Sequence, residues 1–282
     1  MDKKTAQAVV LVIFSGVLFL QSFMVGKVAD EETGMVLNAM RSLRRVDNLE
    51  YRVDMTYMDG QEQTVQTQKM WADLLTGKWA EECSNSDVDG TSIIYRIFCD
   101  GKRVFYADMG DMWYEDDTIS TEIPNFDSLT NLSYATGAVE ASQQTNEEGQ
   151  KQVVFILTDD HLEQQKKVLL DAMVQSDDSV LSGDTQENVN NPMALYYEQY
   201  KRTTYENVKV VYTIDANHVL TGMEYTMNAT RPKIVTVDHG NQELKGKETF
   251  QIGASVQVVE YGTGSVKDKI EEYATEAGYT GH

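Results

Sequence analysis

Apolar and polar residues alternate through the segment that follows residue 48. Leu49, Tyr51, Val53, Met55 and Tyr57 fall at odd positions, and the residues between them are polar or charged. Alternation with a period of two places successive side chains on opposite faces, which predicts a strand with one apolar face. Further strands are predicted at QTVQTQKMWAD, GKWAEEC, SIIYRIFC, KRVFYADM and MWYED. An Asp-Gly pair at 100–101 predicts a two-residue hairpin turn.

The same alternation returns in the last third of the chain. A strand at Lys151–Leu157 comes first, after a polar stretch at 125–145 that shows no strand pattern. The apolar residues of three later strands share a face within each strand. They are Val208, Val210, Tyr212 and Ile214; Val219, Met223, Tyr225 and Met227; and Phe250, Ile252, Ala254, Val256 and Val258. The chain thus predicts a long antiparallel meander.

Four segments carry helical signals instead. DEETGMVLNAMRSLRRV has acidic residues at its start and arginines at its end, as the helix dipole favours. DHLEQQKKVLLDAMVQ is the clearest helix, with Leu162, Leu169 and Met173 on one face. PMALYYEQYKR begins with Pro192, which suits a first turn. A charged helix is predicted at 266–277.

The N-terminus carries a charge-free apolar run at 8–25, preceded by Lys3 and Lys4. Its length lies between that of a signal peptide core and that of a membrane span, so a cleaved signal and an uncleaved anchor both remain open. Positive charge stays on the cytoplasmic side, which predicts a single-pass or secreted protein with its C-terminal part outside the cytoplasm. Residues 1–29 form the anchor or signal segment, and residues 30–282 form one exported domain.

The net charge and the cysteine content limit the range of possible functions. The net charge of −21 argues against binding to nucleic acid, because nucleic-acid phosphates require Lys and Arg. It also argues against electrostatic binding to anionic lipid head groups. The two cysteines, Cys83 and Cys99, could form a disulfide in an exported domain or remain two small buried thiols.

No catalytic or cofactor motif stands out. Asn85, Asp87 and Asp89 begin like a calcium loop, but Arg96 occupies the position that requires a bidentate Glu, so a polar turn is the better interpretation. Asp108, Asp111 and Glu115 belong to an acidic cluster interpreted as the solvated edge of a hairpin. The sequence therefore predicts no enzyme activity, no cofactor and no metal.

The order of elements resembles the LolA-like superfamily of lipoprotein carriers and lipid-binding lipoproteins. The resemblance rests on AMRSLRRVDNLEYRVDMTYM, a helix running into a first strand, and on IIYRIFCDGKRVFYADMGDMWYED, a hairpin ending near a tryptophan. It implies an α+β fold, namely a curved, unclosed antiparallel half-barrel with helices covering the concave face. This chain lacks the lipid-modified cysteine of many Gram-positive relatives.

The apolar face of the predicted sheet is rich in Met and Tyr, and Met is common on surfaces that accept varied apolar partners. The candidate ligand-binding residues are Tyr51, Met55, Tyr57, Met223, Tyr225, Met227, Leu162 and Met173. The leading hypothesis is an extracytoplasmic protein that holds a lipid or other apolar molecule between sheet and helices. The alternative is a sensor or regulatory domain that binds a cell-envelope protein and whose face is a filled core.

Overall fold

The fold is described from a computed structural model. It describes residues 31–59, 62–87, 90–108, 112–124, 138–157, 192–237 and 242–279, together with the helical residues 163, 166, 167, 170, 171 and 174. Every strand and both buried clusters described below lie between residues 31 and 279. The predicted apolar segment at 8–25 lies outside the described residues.

Eleven strands in the described part form one antiparallel sheet. In chain order they are β1 (Asn48–Asp59), β2 (Glu62–Asp73), β3 (Lys78–Asp87), β4 (Gly90–Cys99), β5 (Val104–Asp108), β6 (Trp113–Glu115), β7 (Ala138–Thr145), β8 (Lys151–Leu157), β9 (Thr204–Ile214), β10 (Leu220–Thr236) and β11 (Gln242–Tyr261). Their spatial order is β6-β5-β4-β3-β2-β1-β11-β10-β9-β8-β7, so β1 pairs with the last strand and joins two meanders. The predicted unclosed antiparallel half-barrel is confirmed.

One face of the sheet, called here the inner face, carries the main core. Its buried side chains come from nine of the strands and include the odd-numbered apolar residues of β1, such as Tyr51 and Val53. Helix α1 (Glu31–Leu43) adds its buried side Val36, Ala39, Met40 and Leu43 and packs on β7, β9 and β10. The predicted amphipathic helix therefore covers part of the inner face.

The opposite face is called the outer face. The sequence pattern predicted that it is entirely exposed to solvent, but part of it is covered. The C-terminal helix, numbered α3 (Gly264–Glu276), buries Val266, Ile270 and Tyr273 against a second apolar patch. That patch is formed by Trp71, Ala80 and Phe98 of β2, β3 and β4. The expectation of a single dry face was wrong, because Trp71, Ala80 and Phe98 point away from the inner-face residues next to them in the chain and form a second apolar surface.

Some elements differ from the predicted ones. Residues 138–145 form β7, although their sequence is mostly polar. β7 is an edge strand whose side chains at 140–145 are exposed, and such a strand needs no apolar alternation. The turn after β4 is a four-residue loop rather than a two-residue turn, since Cys99 pairs with Val104. The side chain of Asp100 accepts hydrogen bonds from the backbone N–H groups of Lys102 and Arg103, each at 2.8 Å, and holds that loop.

The remaining helices lie between β8 and β9 along the chain. Helix α2 (Pro192–Lys201) begins at Pro192 as predicted and packs on β10 and β11. Of the preceding predicted helix, Glu163 and Lys166 are described as helical, and the buried Lys166 ammonium donates to the Thr203 carbonyl oxygen at 3.1 Å. Leu162 and Met173 lie outside the described residues, so their position on the concave side stays a prediction.

Among the described residues, no helix is both long and apolar enough to cross a membrane.

Candidate functional site

The Met and Tyr residues predicted from the sequence meet on the inner face, across three neighbouring strands. β11 lies between β1 and β10, and its small or branched residues separate the two predicted sets. Met55 and Tyr225 both pair with Ala254, and Tyr57 and Met227 both pair with Ile252. Neighbouring strands are about 4.8 Å apart, so the β1 and β10 side chains lie about 10 Å from each other across the sheet.

Burial differs along this surface. Met223, Tyr225 and Met227 are 1%, 3% and 6% exposed, and Tyr51 is fully buried. The Tyr225 hydroxyl donates to the Met227 sulfur at 3.4 Å, so these neighbours on β10 are fixed to each other. Met55 is half-buried. The surface is therefore deeply buried at β10 and more accessible along the second half of β1.

The far end of β1 is closed by aromatic and cationic contacts. The Tyr57 ring packs against Phe250 with centroids 4.6 Å apart. The guanidinium of Arg231 lies 4.5 Å from the Phe250 ring centre and donates to the Tyr57 hydroxyl at 3.2 Å. A 2.6 Å ion pair with Glu248 holds that guanidinium. Cation–π contacts of this kind stabilise an aromatic cluster, so Tyr57 is held in place.

A non-helical segment at 116–124 crosses the inner face over β1 and β3. The Tyr51 hydroxyl donates to the carbonyl oxygen of Pro124. The Trp79 indole nitrogen donates to the carbonyl oxygen of Thr121 at 2.9 Å. Ile119 and Ile123 pack against the inner core. This segment, called the 116–124 strap, covers the β1–β3 part of the inner face.

Beside the apolar surface lies a set of polar side chains that the sequence did not single out. We call it the polar group, and it consists of Gln66, Gln68, Glu81, Cys83 and Tyr95 on β2, β3 and β4. Gln68 donates to the Tyr95 hydroxyl at 3.1 Å, and that hydroxyl donates to Glu81 Oε1 at 2.8 Å. The Gln66 amide nitrogen lies 2.9 Å from the Cys83 sulfur. Cys83 and Tyr95 are paired across β3 and β4, so the two sets of contacts are neighbours on one face.

Burial dominates the electrostatics of the polar group. It raises the pKa of Glu81 to about 7, although the hydrogen bond from Tyr95 opposes the rise. Burial also raises the pKa of Cys83 to about 11 and places that of Tyr95 well above its ordinary value, with the Glu81 charge adding to the effect on Tyr95. At neutral pH the Cys83 thiol and the Tyr95 phenol are therefore protonated. Glu81 is divided between its acid and carboxylate forms.

The sequence contained one signal of this group. The inward positions of β2 are Gln66, Gln68, Met70 and Ala72, so its inward residues change from polar to apolar along the strand. If β2 is assumed to have one apolar face and one solvent-exposed face, Gln66 and Gln68 are interpreted as solvent-exposed residues. Only the pairing of β2 with β1 and β3 shows that these glutamines are buried.

The two cysteines are free and buried. Cys83 pairs with Tyr95 and Cys99 pairs with Trp79, so they lie at separate places along the β3–β4 hairpin. Of the two alternatives, the structure shows buried thiols and no disulfide.

Two of the three named acidic residues lie where they were expected. Asp108 and Glu115 are exposed on β5 and β6 at one edge of the sheet, and Asp111 lies outside the described residues. Asn85 and Asp87 of the considered calcium loop belong to β3 and pair with β4, which is the polar hairpin interpretation. Within the described ranges, no group of three or more His, Cys, Asp or Glu side chains could hold a metal ion.

A cavity of about 340 Å³ lies beside the Arg231 end of the sheet. Its lining mixes polar and apolar surface and comes from the start of β9, the β10–β11 hairpin and the residue after α2. The lining residues are Arg202, Thr204, Thr230, Arg231, Pro232, Leu244, Gly246 and Lys247. This volume is therefore distinct from the Met and Tyr surface.

Three solved structures are similar to this chain in fold. The lipoprotein LppX of Mycobacterium tuberculosis is 7% identical, with 82% of this chain and 94% of LppX covered, at a TM-score of 0.39. LprF of Mycobacterium bovis is 9% identical, with 84% and 96% covered, also at 0.39. A LolA superfamily protein of Nitrosomonas europaea is 7% identical, with 82% and 95% covered, at 0.24.

No family model matches the chain, and no curated protein matches its sequence. One of the three structures is described as a LolA superfamily protein, the superfamily that the sequence resembles. At these identities and TM-scores, the neighbours support no statement about a ligand or a partner.

Proposed function

We propose that the chain is an extracytoplasmic binding protein whose inner face holds the hydrocarbon part of a lipid or another apolar molecule. One observation carries the proposal: strand register places six Met and Tyr side chains from β1 and β10 on the same face of a sheet that does not close. Met55 on this surface is half-buried, which offers a place where a ligand can enter. Methionine side chains adapt to ligands of different shape.

The affinity that such a surface can supply is sufficient for a carrier. Each buried CH₂ group of a ligand contributes about 0.8 kcal/mol. A chain of about ten buried methylenes therefore reaches about 8 kcal/mol, which corresponds to micromolar affinity. No charged contact is needed to reach this value.

The test is uptake of an uncharged fluorescent acyl probe by a fragment of residues 30–282, which contains every described strand and both buried clusters. Met55→Gln places an amide on the half-buried part of the surface and should weaken uptake about tenfold, because the amide loses its water without a partner. Met223→Gln tests the buried part in the same way.

Asp108→Asn is the matched control for these variants, because Asp108 is exposed at the sheet edge. It should bind the probe as the wild type does. Circular dichroism and the unfolding midpoint of each variant separate a lost binding surface from a lost fold. Equal uptake by all variants, or no uptake by the wild type, would contradict the proposal.

A second candidate function is a regulatory domain that binds a protein partner and has no ligand cavity. The observation that favours it is the burial of Met223, Tyr225 and Met227, which are already covered in the absence of a ligand. In this case the inner face is a permanent core. The wild-type fragment would then take up no acyl probe and would carry no co-purified lipid.

Attachment to the membrane through residues 8–25 is part of the proposal. Lys3 and Lys4 precede this run and favour the cytoplasmic side, which leaves residues 30–282 outside. Protease added to intact protoplasts should then degrade the domain. Survival of the domain until the cells are lysed would overturn this topology.

A further inference from the structure

The polar group and the apolar surface form one continuous row across the inner face. Val53 of β1 pairs with Val256 of β11, which pairs with Met223 of β10. In the other direction Val53 pairs with Gln68 of β2, whose neighbour on β3 is Cys83. From Met223 to Gln68 the row crosses three strand spacings, about 14 Å. The inner face therefore changes from apolar to polar along one line.

A second row of paired residues shows that the change from apolar to polar side chains lies at the accessible part of the surface. Half-buried Met55 pairs directly with Gln66, which is 4% exposed. Directly opposed residues on neighbouring strands are in side-chain contact range. A ligand chain lying on Met55 therefore has its end beside the Gln66 amide.

Gln66 has an unfilled hydrogen-bonding position. Its Oε1 is buried and has no partner among the described residues. If the amide is turned over, its nitrogen takes the unpartnered place, because Cys83 is the single partner of this side chain in the described part of the chain. A buried polar atom without a partner costs free energy, so a partner supplied from outside would be bound favourably.

Glu81, which is 3% exposed, adds a buried carboxyl group to the same face. The Tyr95 hydroxyl donates to its Oε1. The ionisable groups that face it are Tyr51, Cys83 and Tyr95, all of which are neutral when protonated. No Lys or Arg of the described ranges forms an ion pair with it. A carboxyl group in this position favours a donor and disfavours an anion.

We propose that the polar group binds the head of a single-chain amphiphile, and that this head donates hydrogen bonds and carries no negative charge. The inference rests on the proposed function, since the hydrocarbon part lies on the Met and Tyr surface. The head donates to Gln66 and to Glu81, and the chain extends from Met55 towards β10. Hydroxyl and ammonium heads share this chemistry.

The test compares three amphiphiles with the same twelve-carbon chain length on the 30–282 fragment, by calorimetry below their aggregation concentrations. They are 1-monolauroylglycerol, dodecylammonium and laurate. At pH 8 the glycerol or the ammonium compound should bind about tenfold or more tightly than laurate. Laurate should bind about tenfold more tightly at pH 6 than at pH 8, because Glu81 is then largely protonated.

Two variants assign the effect to the polar group. Gln66→Met keeps the length of the side chain and removes its amide, and it should weaken the better-binding head about fivefold to tenfold while leaving laurate at pH 6 unchanged. Gln251→Met makes the same change at an exposed position of β11 and should alter nothing. Glu81→Gln should abolish the pH dependence of laurate binding.

The outcomes separate the two proposals. If none of the three amphiphiles binds, the proposed function fails. If all three bind equally at pH 8, and Gln66→Met has no effect, chain binding stands and the assignment of the head to the polar group is overturned. A preference for glycerol over ammonium, or the reverse, identifies the head among the two that the geometry allows.

Discussion

Glu81→Gln should make the protein less sensitive to alkaline pH. Glu81 is buried on β3, where its surroundings contain Tyr51, Cys83 and Tyr95 and no paired cation among the described residues. Burial raises its pKa from an ordinary value of 4.5 to about 7. The folded protein therefore binds the proton of this carboxyl more tightly than the unfolded chain does.

The sign and size of the effect follow from this difference. The stabilisation is fully present below pH 4.5 and is lost as the pH rises through about 7. One pKa unit corresponds to about 1.4 kcal/mol, so the complete loss is about 3 kcal/mol, of which about 2.5 kcal/mol falls between pH 5 and pH 8. Glutamine stays neutral throughout, and its carbonyl oxygen can still accept the Tyr95 hydrogen bond.

The assay is urea denaturation of wild type and Glu81→Gln at pH 5 and pH 8. The free energy of unfolding of the wild type should fall relative to the variant by about 2 to 3 kcal/mol between these values. Taking the difference between the two proteins removes the pH dependence that all other groups contribute. Glu224→Gln, at an exposed position between Met223 and Tyr225, is the matched control and should show no such difference. An equal difference between wild type and Glu81→Gln at both pH values would refute the reasoning.

Three further predictions concern the rest of the fold. Ile270→Ala removes a buried contact of α3 with the outer face and should lower the free energy of unfolding by about 2 to 4 kcal/mol, whereas exposed Lys267→Ala should change it little. Gly101→Ala should cost about 1 to 2 kcal/mol in the same assay, since its φ is +92° and a Cβ would lie 3.0 Å from a backbone carbonyl oxygen. Cys83 and Cys99 should react with a thiol reagent only after denaturation, because both are buried and their pKa values are raised; rapid labelling in native buffer would contradict this.

The sheet was predictable because its strands show a strong period of two. Most alternating apolar residues of β1, β9, β10 and β11 belong to the inner-face core, whereas Met58 of β1 and Val259 of β11 are exposed. Strand β7 was not predictable in this way, because the side chains of residues 140–145 are exposed and show no periodic burial. The sequence also did not predict the position of α3 on the sheet. Its amphipathic pattern shows that one side is buried, but not which face of the sheet receives it.

The candidate site was predicted only in its apolar half. Tyr51, Met55, Tyr57, Met223, Tyr225 and Met227 could be grouped because each alternates within its own strand. The polar group could not, although β2 and β3 are flanked by their neighbours in the chain. No local pattern records that β1 pairs with β11, about 200 residues away in the chain, and so extends the buried inner face beyond the first meander. The acidic residues drew attention because of their number, yet Asp108 and Glu115 are exposed at an edge.

The central claim is that the inner face carries the chain of an amphiphile, and mass spectrometry of an organic extract tests it most directly. The 30–282 fragment is purified without detergent, extracted and compared with a buffer blank and with Met55→Gln. The account predicts a single-chain amphiphile in near-stoichiometric amount from the wild type, with an uncharged or cationic head, and a depleted signal from the variant. A wild-type extract identical to the blank, from a folded fragment that also leaves the acyl probe unbound, would contradict the claim and favour the regulatory function.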